Sequence, residues 1–432
     1  MAEVQVVSVY LWGVLVGAVE WIGDAARGHA RFQYSEDFAD YKLEVSPEVM
    51  PVDPGVTYEF ANLASTKTFA GLPGLLADSL PEKFGNKIMT EWLARRGLSF
   101  EELTPVERLC YQGRRAMGAL EFEPDLDPEE NEMFSVDVPE LVEVARRIMD
   151  DRNESRQLLK EGGERVDQLI SIGTSAGGAK AKAVIALSED RKEVISGQAD
   201  CPDGFEHWLL KFTDVKNSEQ ASDKYIGLIE YAYYLMACDA GIDMMECDLF
   251  TDGQNSHFMT KRFDRIDNQK VHVQTFCGLS QIDRDPPGNA SYAQLFASAR
   301  KLGLGQDELN QLYRRMVFNI LSRNQDDHGR NFAFMMGGDG QWRLTPAYDL
   351  CYAFEPDNKF ISVHQMKCNE KRTNFVLSDL VIAAKDADVK KPMEIIEAVR
   401  KAIFGWDDIA DKTGVPEEVA VNIKEHFRTN II

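Results

Sequence analysis

Between residues 4 and 21 apolar positions alternate with small or polar ones and are rich in β-branched and aromatic types, with Gly13 at the turn. A period of two predicts a half-buried β-hairpin, and residues 30–32 and 57–60 add further short strands. The period then lengthens. FAGLPGLLADSLPEKFGNKIM, residues 69–89, is an apolar helical stretch punctuated by Pro73 and Pro81, and it leads into a helix over 88–96 that Gly97 closes. The acidic, proline-containing run EFEPDLDPEENEM at 121–133 reads as a linker and puts a boundary near residue 125.

Residues 141–159 again have helical spacing, with charges interleaved. SIGTSAGGAKAKAVIAL, residues 171–187, runs from the end of an apolar strand through a loop of small residues into the alternating stretch 181–187. HWLLKF at 207–212 predicts a strand with Lys211 inside it, and 223–240 predicts a long amphipathic helix that contains Glu230 and ends at Gly241. Residues 258–263 are strand-like, and helical periodicity dominates from Tyr292 onward. No segment repeats. The order of elements predicts an α+β chain in which a mixed part precedes a helical one.

With 432 residues the chain is long enough for two or three domains, and 44% hydrophobic with 28% charged residues excludes general disorder and fibrous repeats. Its 48 basic against 71 acidic side chains give a net charge of −23, which repels a nucleic-acid backbone. A basic protein partner, or a phosphate ligand held through a metal ion, fits that sign better. Seven cysteines without a CxxC pair read as buried thiols of a reducing compartment. Gln5, Ser8, Gly13 and Gly17 interrupt the first apolar stretch too often for a membrane span, and no cation precedes Arg27 as a secretory leader would require. The expectation is a cytoplasmic protein without membrane contact.

The richest chemistry lies in NILSRNQDDHGRNFAFMMGGDGQWRLTPAYDL, residues 319–350. An apolar helix over 312–321 runs out into a cluster of polar side chains, and two β-like pieces, 332–336 and 341–345, are joined by GGDG. Such a hairpin returns the chain to where it left, so Asp349 comes back near Asn331. A carboxylate and an amide oxygen then meet as Mg²⁺ requires, with Asp326 a few residues upstream as a base. The spacing from Asp326 to Asn331 is the one by which protein kinases place a catalytic Asp and a metal-binding Asn on one loop. A capped helix end with a solvated turn is the competing reading. His328 lacks Cys or His neighbours for metal ligation and is expected to hydrogen-bond the loop backbone and hold Asp326 in place. Asp327 adds a carboxylate near the metal and offers a base one position along.

A second cluster is GTSAGGAK, residues 173–180, in which Ala179 and Lys180 stand where a P-loop needs Lys and Ser or Thr. A P-loop is therefore excluded, while paired glycines still let backbone N–H groups approach phosphate oxygens, with Lys180 or Lys182 adding positive charge. A flexible turn is the alternative. Lys211 is either an edge-strand residue or a phosphate contact paired with Glu230.

Four motifs in this order resemble the HipA-type serine/threonine kinases, the toxins of bacterial type II toxin–antitoxin systems. They are GLPGLLADSLPEKFG, GTSAGGAKAK, KRFDR at 261–265, and NQDDHGRN with AYDL. The resemblance implies a protein-kinase-like two-lobed α+β fold with an additional mainly-β N-terminal subdomain. Residues 1–125 would form that subdomain, 126–262 the nucleotide-binding lobe with its glycine-rich loop, and 263–432 a helical C lobe. It implies ATP and Mg²⁺ as cofactors, with Asp326 the catalytic base beside His328, and Asn331 and Asp349 the metal ligands. Gly177, Gly178, Lys182 and Lys211 with Glu230 would serve the ATP phosphates. The backbone of Lys261 to Phe263 would meet adenine, and Asp264 would reach the ribose. Ser175, beside Thr174, matches a serine that the family autophosphorylates to inhibit itself. Implied partners are a protein substrate such as an aminoacyl-tRNA synthetase and a small helix-turn-helix antitoxin, through which alone the chain would touch DNA. The alternative is a non-catalytic kinase-like scaffold or co-repressor.

Overall fold

The alternating start of the chain folds as a hairpin, β1 (Val6–Leu11) and β2 (Val14–Ile22), closed by the two residues Trp12 and Gly13 at φ 51° and 78°. Two consecutive positive φ values match the twist of the flanking strands, as in a type I′ turn. Trp12 tolerates that conformation while its indole N–H donates to the carbonyl of Lys270 at 2.6 Å. In this computed structural model the described residues are 4–126, 133–149, 172–173, 180–198, 200–213, 224–253 and 255–431. They fall into two compact units, one of Met1–Ser46, Met50–Lys224 and Asp248–Val273, the other of Pro47–Val49, Tyr225–Cys247 and Gln274–Ile432. The first unit thus takes in residues expected as two domains, and the helix that bears Glu230 belongs to the second.

In the first unit, β3 (His29–Tyr34), β4 (Thr57–Glu59) and β5 (Leu120–Glu123) complete a five-stranded sheet in the order β4-β3-β2-β1-β5. The acidic run expected as a linker from residue 121 therefore begins inside a strand, which pairs antiparallel with β1. Its physical reason is the face: Leu120 and Phe122 are buried while Glu121 and Glu123 alternate outward. Helix α1 (Lys83–Arg95) starts five residues before the expected 88–96, because Phe84 and Ile88 share its buried face, and Gly97 follows at φ 73°. Helix α2 (Pro105–Gln112) was not anticipated, although Thr104 and Glu107 carry a full capping box and Pro105 sits at its first position.

A second sheet of the same unit contains β6 (Lys182–Ser188), β7 (Val194–Ser196), β8 (Phe205–Lys211), β9 (Cys247–Thr251) and β10 (Ser256–Lys261), in the order β7-β6-β8-β10-β9. Ile172 and Gly173, expected at a strand end, are helical. Strand β6 was expected to alternate but is buried from Lys182 to Leu187 on both faces. Phe84, Ile88 and Trp92 of α1 and Leu141, Val142 and Ala145 of α3 (Val138–Met149) pack with Ile185, Trp208 and Leu210 in one apolar cluster. Apolar residues on both faces of a central strand hide the period-two signal.

The motif KRFDR continues past β10 into a small hairpin, β11 (Arg265–Ile266) with β12 (Gln269–Lys270). Asp264, expected at a ribose, is instead sealed at 1% exposure. It accepts Arg262 Nε at 2.8 Å and Nη2 at 2.7 Å, Arg265 Nη1 at 2.8 Å and the backbone N–H of Gly118 at 2.8 Å. Arg265 then donates to the carbonyls of Gly118 and Ala116 at 2.9 and 3.3 Å. The motif fastens the 116–118 segment to the end of β10, so this carboxylate acts as an internal anchor rather than a ligand contact.

In the second unit the core is built from α4 (Ile226–Asp239), α5 (Tyr292–Lys301), α6 (Gln306–Leu321), α7 (Leu377–Asp386), α8 (Pro392–Phe404), α9 (Trp406–Thr413) and α10 (Glu417–Glu425). Tyr233, Met236, Tyr313, Met316, Phe318 and Trp406 interlock there, all fully buried. Strand β13 (His272–Thr275) carries the chain from the first unit into the second, and β14 (Ala333–Met336) with β15 (Trp342–Leu344) forms the hairpin expected around GGDG. All cysteines are free thiols and buried except Cys238, which α4 turns outward one step from buried Ala237. Among the described residues no helix is long and apolar enough to cross a membrane.

Burial alone would push the Asp264 carboxyl up, but Arg262 and Arg265 overcome it and hold the group well below the usual carboxylate range. Its stabilisation is therefore complete above about pH 4, the unfolded value, and is lost only as pH falls through the lower folded value. Asp264→Ala leaves two buried guanidinium groups without their carboxylate and is expected to destabilise the protein by about 3–5 kcal/mol, read as a lower urea midpoint.

Candidate active site

Helix α6 ends where its apolar face does, and the ending is a Schellman turn. Arg323 takes φ 62° and the N–H of Asn324 returns to the carbonyl of Asn319 at 3.0 Å. Gly is the usual residue at that position, and Arg323 holds it with side-chain bonds to the carbonyl of His426 at 2.6 Å and to Gln325 Oε1 at 2.9 Å. The loop leaves beside residue 353: the N–H of Ala353 donates to Arg323 and that of Gln325 to Ala353, both at 3.1 Å.

Asp326 follows with its side chain half exposed. The Asn331 side-chain NH₂ donates to the backbone carbonyl of Asp326 at 2.9 Å, and the Asn331 N–H donates to His328 O at 2.9 Å. These two bonds close the D-x₄-N loop, and with its NH₂ engaged Asn331 presents its oxygen as the acceptor. His328 makes no hydrogen bond to Asp326: its Nε2 lies 3.9 Å from Asp326 Oδ1, an ion-pair distance when the ring is protonated, and its buried Nδ1 has no partner among the described residues. Next to it, a Cβ on Gly329 would meet Cys277 Sγ at 2.8 Å, so the turn requires glycine.

From Asn331 the hairpin runs out and back. Phe334 faces Leu344, and both the N–H and hydroxyl of Thr345 reach the carbonyl of Ala333, at 3.2 and 3.0 Å. Arg315 of α6, fully buried and pulled down to about 10 by that burial, donates to the Thr345 carbonyl at 2.7 Å. Tyr348 OH donates to the carbonyl of Arg330 at 2.7 Å, tying the return strand to the residue before Asn331. Asp349 then sits at φ 55°, a left-handed conformation that Asp tolerates, and the Asn324 side chain reaches its carbonyl at 3.4 Å.

The neighbouring carboxylate has another fate. Asp327 is buried and meets four donors: Tyr292 OH at 2.7 Å and His364 Nδ1 at 2.8 Å on Oδ2, and the N–H groups of Gln365 at 2.7 Å and Met366 at 3.4 Å on Oδ1. It is neither a base nor a metal ligand, which corrects the expectation of a second carboxylate at the metal and leaves Asp326 as the exposed one. Tyr292 also accepts from the Asn319 amide at 3.2 Å, and Asn319 accepts from Asn324 at 2.9 Å. Burial, then the Asp327 charge, drives the Tyr292 hydroxyl well above its ordinary range. Tyr292, Asn319 and His364 escaped the sequence reading. A polar Asn inside the apolar run 316–321 was the one available signal.

In the first unit Lys182 of β6 and Lys211 of β8 are Cα partners across the antiparallel ladder, and both are buried. Residues directly opposite share a face, so two basic side chains lie on the same side of the sheet. Lys211 Nζ also lies 5.4 Å above the Phe258 ring. Lys261, at the end of β10, pairs with Glu206, and Phe263 is half-buried. Glu230 is buried on α4 of the second unit. Ser175, Gly177 and Gly178 lie outside the described residues. Nor do three or more His, Cys, Asp and Glu side chains gather as a metal site among the described residues.

Two family models match the chain, the HipA N-terminal domain over residues 7–123 and the HipA-like C-terminal domain over 174–425. Among solved structures, HipA of the Shewanella oneidensis MR-1 toxin–antitoxin system, in complex with HipB and operator DNA, aligns at a TM-score of 0.65 and 19% identity, covering 98% of this chain and 95% of that one. The Helicobacter pylori proinflammatory kinase CtkA aligns at 0.33 and 13% identity over 51% of this chain and 84% of its own. The first of these establishes the fold.

Because Tyr348 OH supports the carbonyl of Arg330, Tyr348→Phe is expected to cost about 1 kcal/mol in urea unfolding, with an unchanged slope.

Proposed function

The chain belongs to the HipA family, and from that premise we propose that it is a Mg²⁺/ATP-dependent protein serine/threonine kinase, the toxin of a toxin–antitoxin pair. One observation carries the reading: a half-exposed Asp326 tied to Asn331 through the bond from the Asn331 NH₂ to the Asp326 carbonyl, on a loop to which a hairpin brings Asp349 back. Asn331 and Asp349 fit Mg²⁺, which takes one or two protein oxygens and completes its shell with water and phosphate. When bound, the ion neutralises charge on the phosphate oxygens. Asp326 accepts the proton of the attacking hydroxyl.

Lys182 and Lys211 support the same reading. Two buried lysines on one face of the sheet supply positive charge suited to a polyanion such as a triphosphate. In this reading Gly177, Gly178 and Lys211 serve the ATP phosphates, Glu230 belongs to the same nucleotide-binding set, and the backbone of Lys261 to Phe263 meets adenine. Ser175 is the site of self-inhibition: a phosphoserine adds close to two negative charges where the ATP phosphates bind. The protein substrate is of the aminoacyl-tRNA synthetase class, and a helix-turn-helix antitoxin makes the DNA contact, in keeping with a net charge of −23.

Asp326→Ala and Asp349→Ala are each expected to lower ³²P transfer from ATP by at least about 10³-fold with the fold intact by circular dichroism. Wild-type transfer in either variant removes the assignment. Intact-mass and peptide mass spectrometry of protein expressed without an antitoxin is expected to find one phosphate on the peptide containing Thr174 and Ser175. A kinase-active preparation without it excludes this route of inhibition.

A further inference from the structure

Asp326 is flanked by two buried residues, Gln325 and Asp327, and both are held by one cation. Arg428 lies in the segment that follows α10. Its backbone N–H donates to the carbonyl of Leu321 at 2.8 Å and its Nη1 to that of Ile320 at 3.3 Å, so it caps the C-terminus of α6, where a positive charge is favoured. Its Nη2 donates to Gln325 Oε1 at 3.0 Å, and Nη1 also lies 2.8 Å from His364 Nε2.

A guanidinium only donates, so Nε2 of His364 must accept, and the ring proton resides on Nδ1. That Nδ1–H points at Asp327 Oδ2, 2.8 Å away. The imidazole is therefore neutral and of fixed tautomer, and burial, opposed by the Asp327 charge and aided by Arg428, keeps its pKa below the usual range. The relay from Arg428 through His364 to Asp327 has no alternative arrangement: turning the ring over would aim a donor at the guanidinium. Gln325 is fixed on its other side as well, where its NH₂ donates to the Ile361 carbonyl at 3.0 Å. Nothing in the mechanism proposed above uses these groups, yet all four are buried beside the loop.

We propose that Arg428 is a positioning residue for phosphoryl transfer: one guanidinium, bound to Gln325 directly and to Asp327 through His364, fixes the backbone on both sides of Asp326. The proposal rests on the kinase reading. It makes the segment after α10 part of what sets kcat, although that segment touches no reacting atom. Asp327 plays the complementary part, since the N–H groups of Gln365 and Met366 tie residues 365–366 to the same carboxylate.

The test uses the full chain with Mg²⁺ and ATP and compares wild type with Arg428→Met and Arg428→Lys. Arg428→Met keeps the apolar stem and the backbone cap and is expected to lower kcat by about 10- to 100-fold with KM for ATP within about threefold. Free guanidinium ion is expected to restore part of the rate in this variant and to leave wild type unchanged. Hydrogen exchange is expected to quicken at residues 322–331 and 361–366 and to stay as in wild type at 392–404. Arg428→Lys keeps the charge but not the fork and should fall between the two. A wild-type kcat in Arg428→Met, or a loss accompanied by equally faster exchange at 392–404, overturns the proposal. If Arg428→Met does not fold, Arg428→Lys decides: unchanged kcat and exchange overturn it, a lower kcat with faster exchange at 322–331 upholds it. Should wild type transfer no phosphate, the kinase reading fails instead, and exchange in the two loop segments still decides whether Arg428 holds them.

Discussion

A carboxylate taken out of water must be met by donors or it will not stay charged, and the loop at the heart of the second unit is organised around that demand. Asp327 is met from helix α5, by the Tyr292 hydroxyl, and from residues 364–366, which lie beyond the hairpin in sequence. Satisfying it draws those distant segments onto the loop. Gln325 and Asp327 are buried on either side of Asp326, which is left to solvent between them. Two chemically identical neighbours thereby acquire different tasks, one structural and one available for chemistry.

The first unit handles buried charge in two contrasting ways. Asp264 is neutralised within the fold, where two arginines and a backbone N–H surround it, and the result is a rigid junction between the 116–118 segment and the end of β10. Lys182 and Lys211 lie opposite each other on one face of a sheet. The Asp264 carboxylate is thus met by donors from the motif itself and the neighbouring segment, while the two lysines set basic side chains within a largely apolar strand pair.

Much of the secondary structure could be read directly. The first hairpin and the β14–β15 hairpin follow from alternation and turn residues, and α1, α4 and α6 follow from period and closure. The failures have physical causes. Strand β5 hid in an acidic run because its glutamates occupy only the outward face. Strand β6 is apolar on both faces and so lacks alternation. Helix α2 carried its capping box in plain view at Thr104 and Glu107, unread because the stretch around it is short. KRFDR suggested a ligand contact at Asp264, since spacing places a carboxylate along the chain but does not say whether arginines two residues before and one after will fold onto it.

What the sequence alone determined, then, is which residues can do chemistry and how far apart they lie: Asp326, Asn331 and Asp349 are set by a loop and a hairpin, both local structures whose signals sit within a few residues. The assignment of tasks between Asp326 and Asp327, the fixed tautomer of His364 and the grip of Arg428 were decided by tertiary structure. Each depends on partners 35 or more residues away, and a hydrogen bond across that distance leaves no trace in local spacing. Its existence follows only from which polar groups the packed core leaves facing one another.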